Sequence, residues 1–404
     1  MRKSIRPDSV VFQEADLPLE VAILLIAGMS LLITGVLLFP ISVGTFPYYE
    51  NGLFGLLLVM FALQMVTLGK TPFGDMRRST LLVAVGVLIA AIGIVTCFIP
   101  TFTQIPRVLL LLCFGPGGFL LLLQMCIAPD KLRTWARYGG VFHHLIVGCS
   151  LAYLFSMLAA ALLWGRGLLS TPMTGAVVLI YGLAVVYLAV VLRKIYAMYP
   201  AAQKGSEGDV GLSINQSIIL LTGVFMVLLG ALLIPVGLGL LPFSGSAQLG
   251  LLMVLFAVQM LATGNTPIGP FPRTWLVVGF GLLFAALGIV SCIIPAILVS
   301  LLTILVGVLN ILGGAIGLAK VVQARLQQPE GPHGSVPPEL IRLFVAQLIL
   351  NLLAILFGSA MLIPHLIPGL VIGVILAANG CVLLYLLYIL TVLDAMQRRM
   401  EGAV

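Results

Sequence analysis

The chain has 404 residues, 61% of them hydrophobic and only 8% charged, with a mean hydropathy of +1.22. Soluble globular proteins run at about 45–50% apolar and about 25% charged, so this composition excludes a soluble fold and points to an all-α, polytopic membrane protein. A formal charge of +7 invites a nucleic-acid reading, but 18 of the 20 Lys and Arg residues fall in the termini and the even-numbered connections of the spans described next. That is a membrane-orientation pattern, and it leaves nucleic acid without a role.

Residues 1–20 mix basic and acidic side chains before any apolar run and read as a cytoplasmic tail, with no signal-peptide core. Twelve apolar runs follow, each long enough to cross about 30 Å of hydrocarbon as a helix. The first, about Val21 to Phe39, carries Gly28 and Gly35 and is closed by Pro40. The second, about Gly52 to Leu68, ends in Phe-Ala-x-Gln-Met with Gln64 as its one amide. The third carries Gly86, Gly93 and Pro100. The fourth runs from about Val108 to Met125, the fifth from Leu145 to Leu163 and the sixth from Met173 to Leu192.

The chain then repeats itself. Phe54 to Pro100, shifted by 195 positions without a gap, becomes Leu249 to Pro295 with 25 of 47 residues identical. Gly223, Gly230 and Pro235 return in the seventh span, Gln259 in the eighth, and Gly281, Gly288 and Pro295 in the ninth. The last two spans match the fifth and sixth at an offset of 198. Two tandem, parallel six-helix repeats are therefore expected, at 21–195 and 216–393, joined by a cytoplasmic linker at 196–215 and followed by a tail at 394–404. A Pro-rich stretch at 329–338 reads as an extended, solvated connection. The positive-inside bias puts both termini in the cytoplasm, and all three tryptophans, Trp135, Trp164 and Trp275, fall at predicted helix ends.

Chemistry is sparse. The twelve predicted spans contain no Asp, Glu, Lys, Arg or His, which argues against a pump, a proton-coupled antiporter or a voltage sensor. Six scattered cysteines form no CxxC pair, and His143, His144, His333 and His365 have no ligand spacing, so no metal, cofactor or enzymatic activity is expected. Cys97 and Cys292 occupy equivalent repeat positions. Six neutral polar residues within spans stand out, Gln64, Gln259, Tyr153, Tyr181, Asn351 and Asn379, with the last four near mid-helix. They read either as interhelical adhesive or, if they converge between the halves, as a polar pocket for a solute. The paired glycines Gly28/Gly35, Gly86/Gly93, Gly223/Gly230 and Gly281/Gly288 are seven apart, so each pair lies on one helix face and forms a groove for close helix packing, or for lipid or a partner subunit.

The loop Gly74-Asp75-Met76-Arg77-Arg78 resembles the loop motif of major facilitator transporters, although its second copy, ending in Arg273, lacks the Asp and one Arg. The recurring Gly-x6-Gly helices with an outer Pro resemble more broadly the HdeD family of bacterial short-repeat membrane proteins, here as two six-helix units. That resemblance implies a location in the bacterial inner membrane, an envelope or acid-stress role and no catalytic residues. Three functions stand as expectations: a structural, HdeD-like protein; a carrier for a small neutral or amphipathic solute; or an accessory subunit. The expected partners are the bilayer and either another membrane protein or a second copy of this chain.

Overall fold

The computed structural model describes residues 12–165, 167–200, 212–326, 338–363 and 368–401. Arg2, Lys3, Arg6, Arg166, Lys204, His333, His365 and most of the Pro-rich connection lie outside the described residues. Among the described residues the protein is all-helical, and twelve helices are long and apolar enough to cross a membrane. In chain order they are α1 (Leu19–Ser42), α2 (Glu50–Leu68), α3 (Thr80–Phe98), α4 (Gln104–Ile127), a short α5 (Leu132–Tyr138) that does not span, α6 (Val141–Trp164) and α7 (Thr171–Met198). There follow α8 (Ile214–Gly237), α9 (Gly245–Thr263), α10 (Trp275–Ile293), α11 (Val299–Leu326), α12 (Pro338–Leu362) and α13 (Gly369–Glu401). Two-stranded hairpins, β1 (Lys70–Thr71) with β2 (Gly74–Asp75) and β3 (Asn265–Thr266) with β4 (Gly269–Pro270), follow α2 and α9.

Local chemistry sets the helix ends. Ser79 and Thr274 accept hydrogen bonds from the third residue of α3 and α10, and Ser213 forms a reciprocal capping box with Gln216 on α8. Left-handed Gly69 and Gly264 end α2 and α9. The extended residues Ile99 and Ile294 stop α3 and α10 just before Pro100 and Pro295. Pro40 and Pro235 do not close their helices as expected. Each lies inside the last turn, where almost no helix remains to lose the missing N–H bond.

The helices form two compact units, and these do not coincide with the two sequence halves. The first contains α1–α7 together with α9 and α10; the second contains α8, the β3–β4 hairpin and α11–α13. Reciprocal hydrogen bonds hold α9 and α10 to the first unit. Tyr49 N–H donates to Ile293 O at 2.9 Å, and Ser244 N–H, 195 residues on, donates to Phe98 O at 3.0 Å. Cys97 and Cys292, also 195 apart, lie next to each other at this crossing, and their thiols donate to Gly52 O at 3.5 Å and Ala247 O at 3.6 Å. Beside them the Tyr49 hydroxyl donates to Cys97 O at 3.0 Å, and burial pushes the Tyr49 phenol pKa upward.

All eight groove glycines face a neighbouring helix of their own unit. A Cβ on Gly35 would stand 2.6 Å from the backbone of Leu179 on α7, and one on Gly230 would stand 2.3 Å from Ala377 N on α13. Gly28 and Gly223 face Val186 and Leu384 on the same two helices. Gly86 and Gly93 face Val66 and Gly55 on α2, while Gly281 and Gly288 face Leu261 and Gly250 on α9. Backbone approach of this kind is what small residues permit where no hydrophobic effect drives helices together.

Candidate functional site

The hairpin after α2 is built by its own sequence, Gly-Lys-Thr-Pro-Phe-Gly. Thr71 Oγ1 donates to Gly74 O at 2.7 Å and accepts from Phe73 N–H at 3.2 Å. The copy after α9, Gly-Asn-Thr-Pro-Ile-Gly, repeats both bonds through Thr266 at 2.8 and 3.3 Å. The αL glycines that open the hairpins and Gly74 and Gly269, at φ 136° and 142°, allow so tight a fold.

Each hairpin tip packs on a glycine in the middle of a helix. A Cβ on Gly117 of α4 would lie 2.7 Å from Pro72 O, and one on Gly313 of α11 would lie 2.0 Å from Pro267 O. Gly117 is ten residues, about 15 Å, from the C-terminal end of α4, so the hairpin reaches well along the helix. Irregular backbone at such depth survives only when packed in protein or lining a cavity. Here it does both. In the first unit a glutamate fixes the base of the hairpin: Glu20 on α1 takes Lys70 Nζ at 2.5 Å and the Tyr196 hydroxyl of α7 at 2.5 Å. In the second unit Gln216 and Asp394 join α8 to α13 at 2.8 Å.

The cavity below the first hairpin has a volume of about 140 Å³. Gln64, Tyr153 and Tyr181 line it together with Pro72, Phe114 and Ser156. Phe114 packs edge-on against Phe61 at 5.6 Å and Tyr181 at 6.0 Å, which fills much of the space. The Ser156 hydroxyl donates to Phe114 O at 2.8 Å. Leu31, Leu57 and Phe114 also line a second cavity of about 530 Å³ that extends toward Tyr48, Glu50 and Thr171. The two spaces together flank α2 from Glu50 to Gln64, about 21 Å, with one aromatic ring and two leucines between them.

The cavity below the other hairpin lies within the second unit, at about 320 Å³. Asn351 and Asn379 line it with Asn310, Pro267, Gly317 and Lys320. The six amides and phenols singled out from the sequence therefore do not share one space. Gln64, Tyr153 and Tyr181 meet in the first unit, Asn351 and Asn379 in the second, and Gln259 lines neither cavity.

Sequence reasoning missed Phe114, Asn310 and Lys320. Phe114 and Asn310 read as ordinary span residues. Lys320 reads from the sequence as part of a connection, because a continuous apolar run ends near it. In the structure α11 continues to Leu326 and carries Lys320 along its final turns to the hairpin, where a Cβ on Gly269 would stand 3.4 Å from Nζ. Extending the repeat through α4 at an offset of 196 pairs Gly117-Gly118 with Gly313-Gly314 and would have exposed all three positions.

Among the described residues no cluster of three His, Cys, Asp or Glu side chains is arranged to hold a metal ion. His144 Nδ1 instead meets the Tyr187 hydroxyl at 2.7 Å. No family model, curated protein or solved structure matches this chain. Its class is accordingly the one its helices define, a polytopic integral membrane protein.

Proposed function

We propose that the protein is a non-enzymatic carrier or facilitator for a small neutral or amphipathic solute, with the first unit providing the path. The observation that supports this most directly is the pair of cavities in series along α2, separated by Phe114, Leu31 and Leu57. The inner cavity presents only neutral polar groups, Gln64, Tyr153, Tyr181 and Ser156, which suits an uncharged solute and no ion. Glycine- and proline-interrupted segments at corresponding places in two sequence repeats are also where repeat-built transporters place substrate.

The test is flux of a neutral-metabolite panel into proteoliposomes. Phe114→Ala should raise the rate by widening the constriction, and Phe114→Trp should lower it. Equal flux through wild type and both variants, at the level of empty liposomes, would sink the carrier reading.

A structural role, as the HdeD resemblance implies, is the second reading, and the close glycine packing of every groove favours it. It predicts a protein whose loss weakens survival at low pH while proteoliposomes stay tight to every solute. Residence in a bacterial inner membrane belongs to the same proposal. So do cytoplasmic termini, for which the distribution of Lys and Arg is the support.

A further inference from the structure

The two hairpin cavities occupy repeat-equivalent positions but have diverged in one chemical direction. At the 196 offset of α4 and α11, Phe114 becomes Asn310, Leu121 becomes Gly317 and Gln124 becomes Lys320. At the 198 offset, Tyr153 and Tyr181 become Asn351 and Asn379. Three aromatic rings have become three carboxamides, one leucine has been deleted to glycine, and a neutral amide beside the hairpin glycine has become a cation. The structure confirms the pairing: Gly74 faces Gln124 Oε1 at 3.3 Å, where Gly269 faces Lys320 Nζ at 3.4 Å, both measured from an added Cβ. Gly118 likewise meets Tyr153 O where Gly314 meets Asn351 O.

The result is a larger and more polar space, about 320 Å³ against 140 Å³. Simple loss of packing would have left small apolar residues behind. Asn310 spends its amide on Val306 O at 2.8 Å, whereas the carboxamides of Asn351 and Asn379 have no hydrogen-bond partner among the described residues. Lys320 likewise has no ion-pair partner among them, and it stands exposed at the rim. Gly317 makes room for the Asn351 amide, since a Cβ there would lie 2.3 Å from Oδ1. Half-buried amides left open on a cavity are costly unless a ligand or water takes their bonds.

From this we infer that the second cavity is a binding site for a small polar monocarboxylate, of the size of a hydroxy acid or amino acid. Lys320 meets the carboxylate, and Asn351 and Asn379 hold the hydroxyl or amino groups. One cation balances one negative charge, which favours a carboxylate over a phosphate carrying about −1.5 to −2 at neutral pH. The site lies in the second unit and stands whether or not the first unit carries a solute.

The experiment is thermal stability and calorimetric binding of the full chain in detergent and in nanodiscs. The probes are lactate, glycerate and serine, with lactamide, glycerol and inorganic phosphate as controls. At least one carboxylate should give a saturable stabilisation that lactamide and phosphate do not. Lys320→Gln should weaken it roughly tenfold to a hundredfold, the factor for losing one hydrogen bond to a charged group. Asn379→Tyr, which restores the residue of the first repeat, should abolish binding without lowering the melting temperature of the free protein. Silence with all three carboxylates overturns the inference, as does a Lys320→Gln variant that binds like wild type. A Lys320-dependent stabilisation by phosphatidylglycerol nanodiscs with no response to the soluble acids also overturns it, in favour of a lipid headgroup. Because the readout is binding, it can fail while flux through the first unit succeeds, and the reverse.

Discussion

Arg273 shows how a residue with an ordinary sequence assignment acquires a specific task. From its sequence it reads as an anchor of the second hairpin, which it follows by three residues. Its guanidinium also donates to Ala15 O at 3.1 Å, Leu17 O at 3.0 Å and Ala262 O at 3.0 Å, while Ala15 N–H returns a bond to Arg273 O at 2.7 Å. The planar fork serves these carbonyls from two nitrogens, Nε and Nη1, held in fixed geometry, whereas a lysine would have to reach them from one point at the end of a flexible stem. Arg273→Lys should therefore lower the melting temperature in detergent, since hydrogen bonds from charged donors are worth about 1.5–3 kcal/mol each. Arg77→Lys is the control, and equal melting temperatures for the two variants would remove this role. At the same scale, Gln64 was visible in the sequence through its repeated Phe-Ala-x-Gln-Met motif, and Tyr153, Tyr181, Asn351 and Asn379 through their pairing at the 198 offset, whereas Asn310, outside both patterns, was not. Phe114 stayed invisible, because an aromatic ring in an apolar span looks the same whether it plugs a passage or fills a core.

Among elements, the glycines separate packing from conformation. Gly35, Gly230, Gly117 and Gly313 each meet backbone atoms within 2.7 Å of where a Cβ would be, whereas Gly279, in the second turn of α10, meets nothing within 4 Å. Gly230→Ala should destabilise by about 1–3 kcal/mol, the usual cost of overpacking. Gly279→Ala should be neutral or stabilising by about 0.4–1 kcal/mol, through lower unfolded-state entropy and better helix propensity. Thermal melts of both variants check the contrast, and a loss in Gly279→Ala as large as in Gly230→Ala would refute it. The hairpins make a parallel prediction: Gly313→Ala should perturb the second cavity by pushing Pro267 away. Solute-induced stabilisation should fall in that variant, whereas Gly279→Ala should retain it. The Gly-x6-Gly spacing was sufficient to find the grooves from sequence. Their occupants, such as Leu179 and Ala377, were not legible, since nothing in a helix's own sequence names the neighbour that will fill it.

The whole molecule departs from its own sequence symmetry in how it divides. Two halves are written in tandem, yet α9 and α10 from the second half are bonded into the first unit. Cys97 and Cys292 give a direct test. In a variant retaining only these two cysteines and carrying a protease site near position 205, mild oxidation by iodine should form a disulfide with release of two protons. The cleaved fragments should then run as one species without reductant and as two with it; separation under both conditions would contradict the placement of Cys292 beside Cys97. Orientation is tested separately, because reporter fusions at Val404 and after Glu50 should give signals from opposite sides of the membrane.

Composition and periodicity alone determined the class, the number of spans and the repeat, because burying backbone in lipid leaves a long apolar helix almost no alternative. The repeat also held the divergence between the cavities, as Phe114 against Asn310 and Gln124 against Lys320. Only the tertiary structure decided which helices share a unit and how far α11 carries Lys320. Only it placed the hairpin tips on Gly117 and Gly313. Lateral packing depends on the fit of one helix surface to another, and that fit is a property of pairs of segments rather than of either segment read by itself.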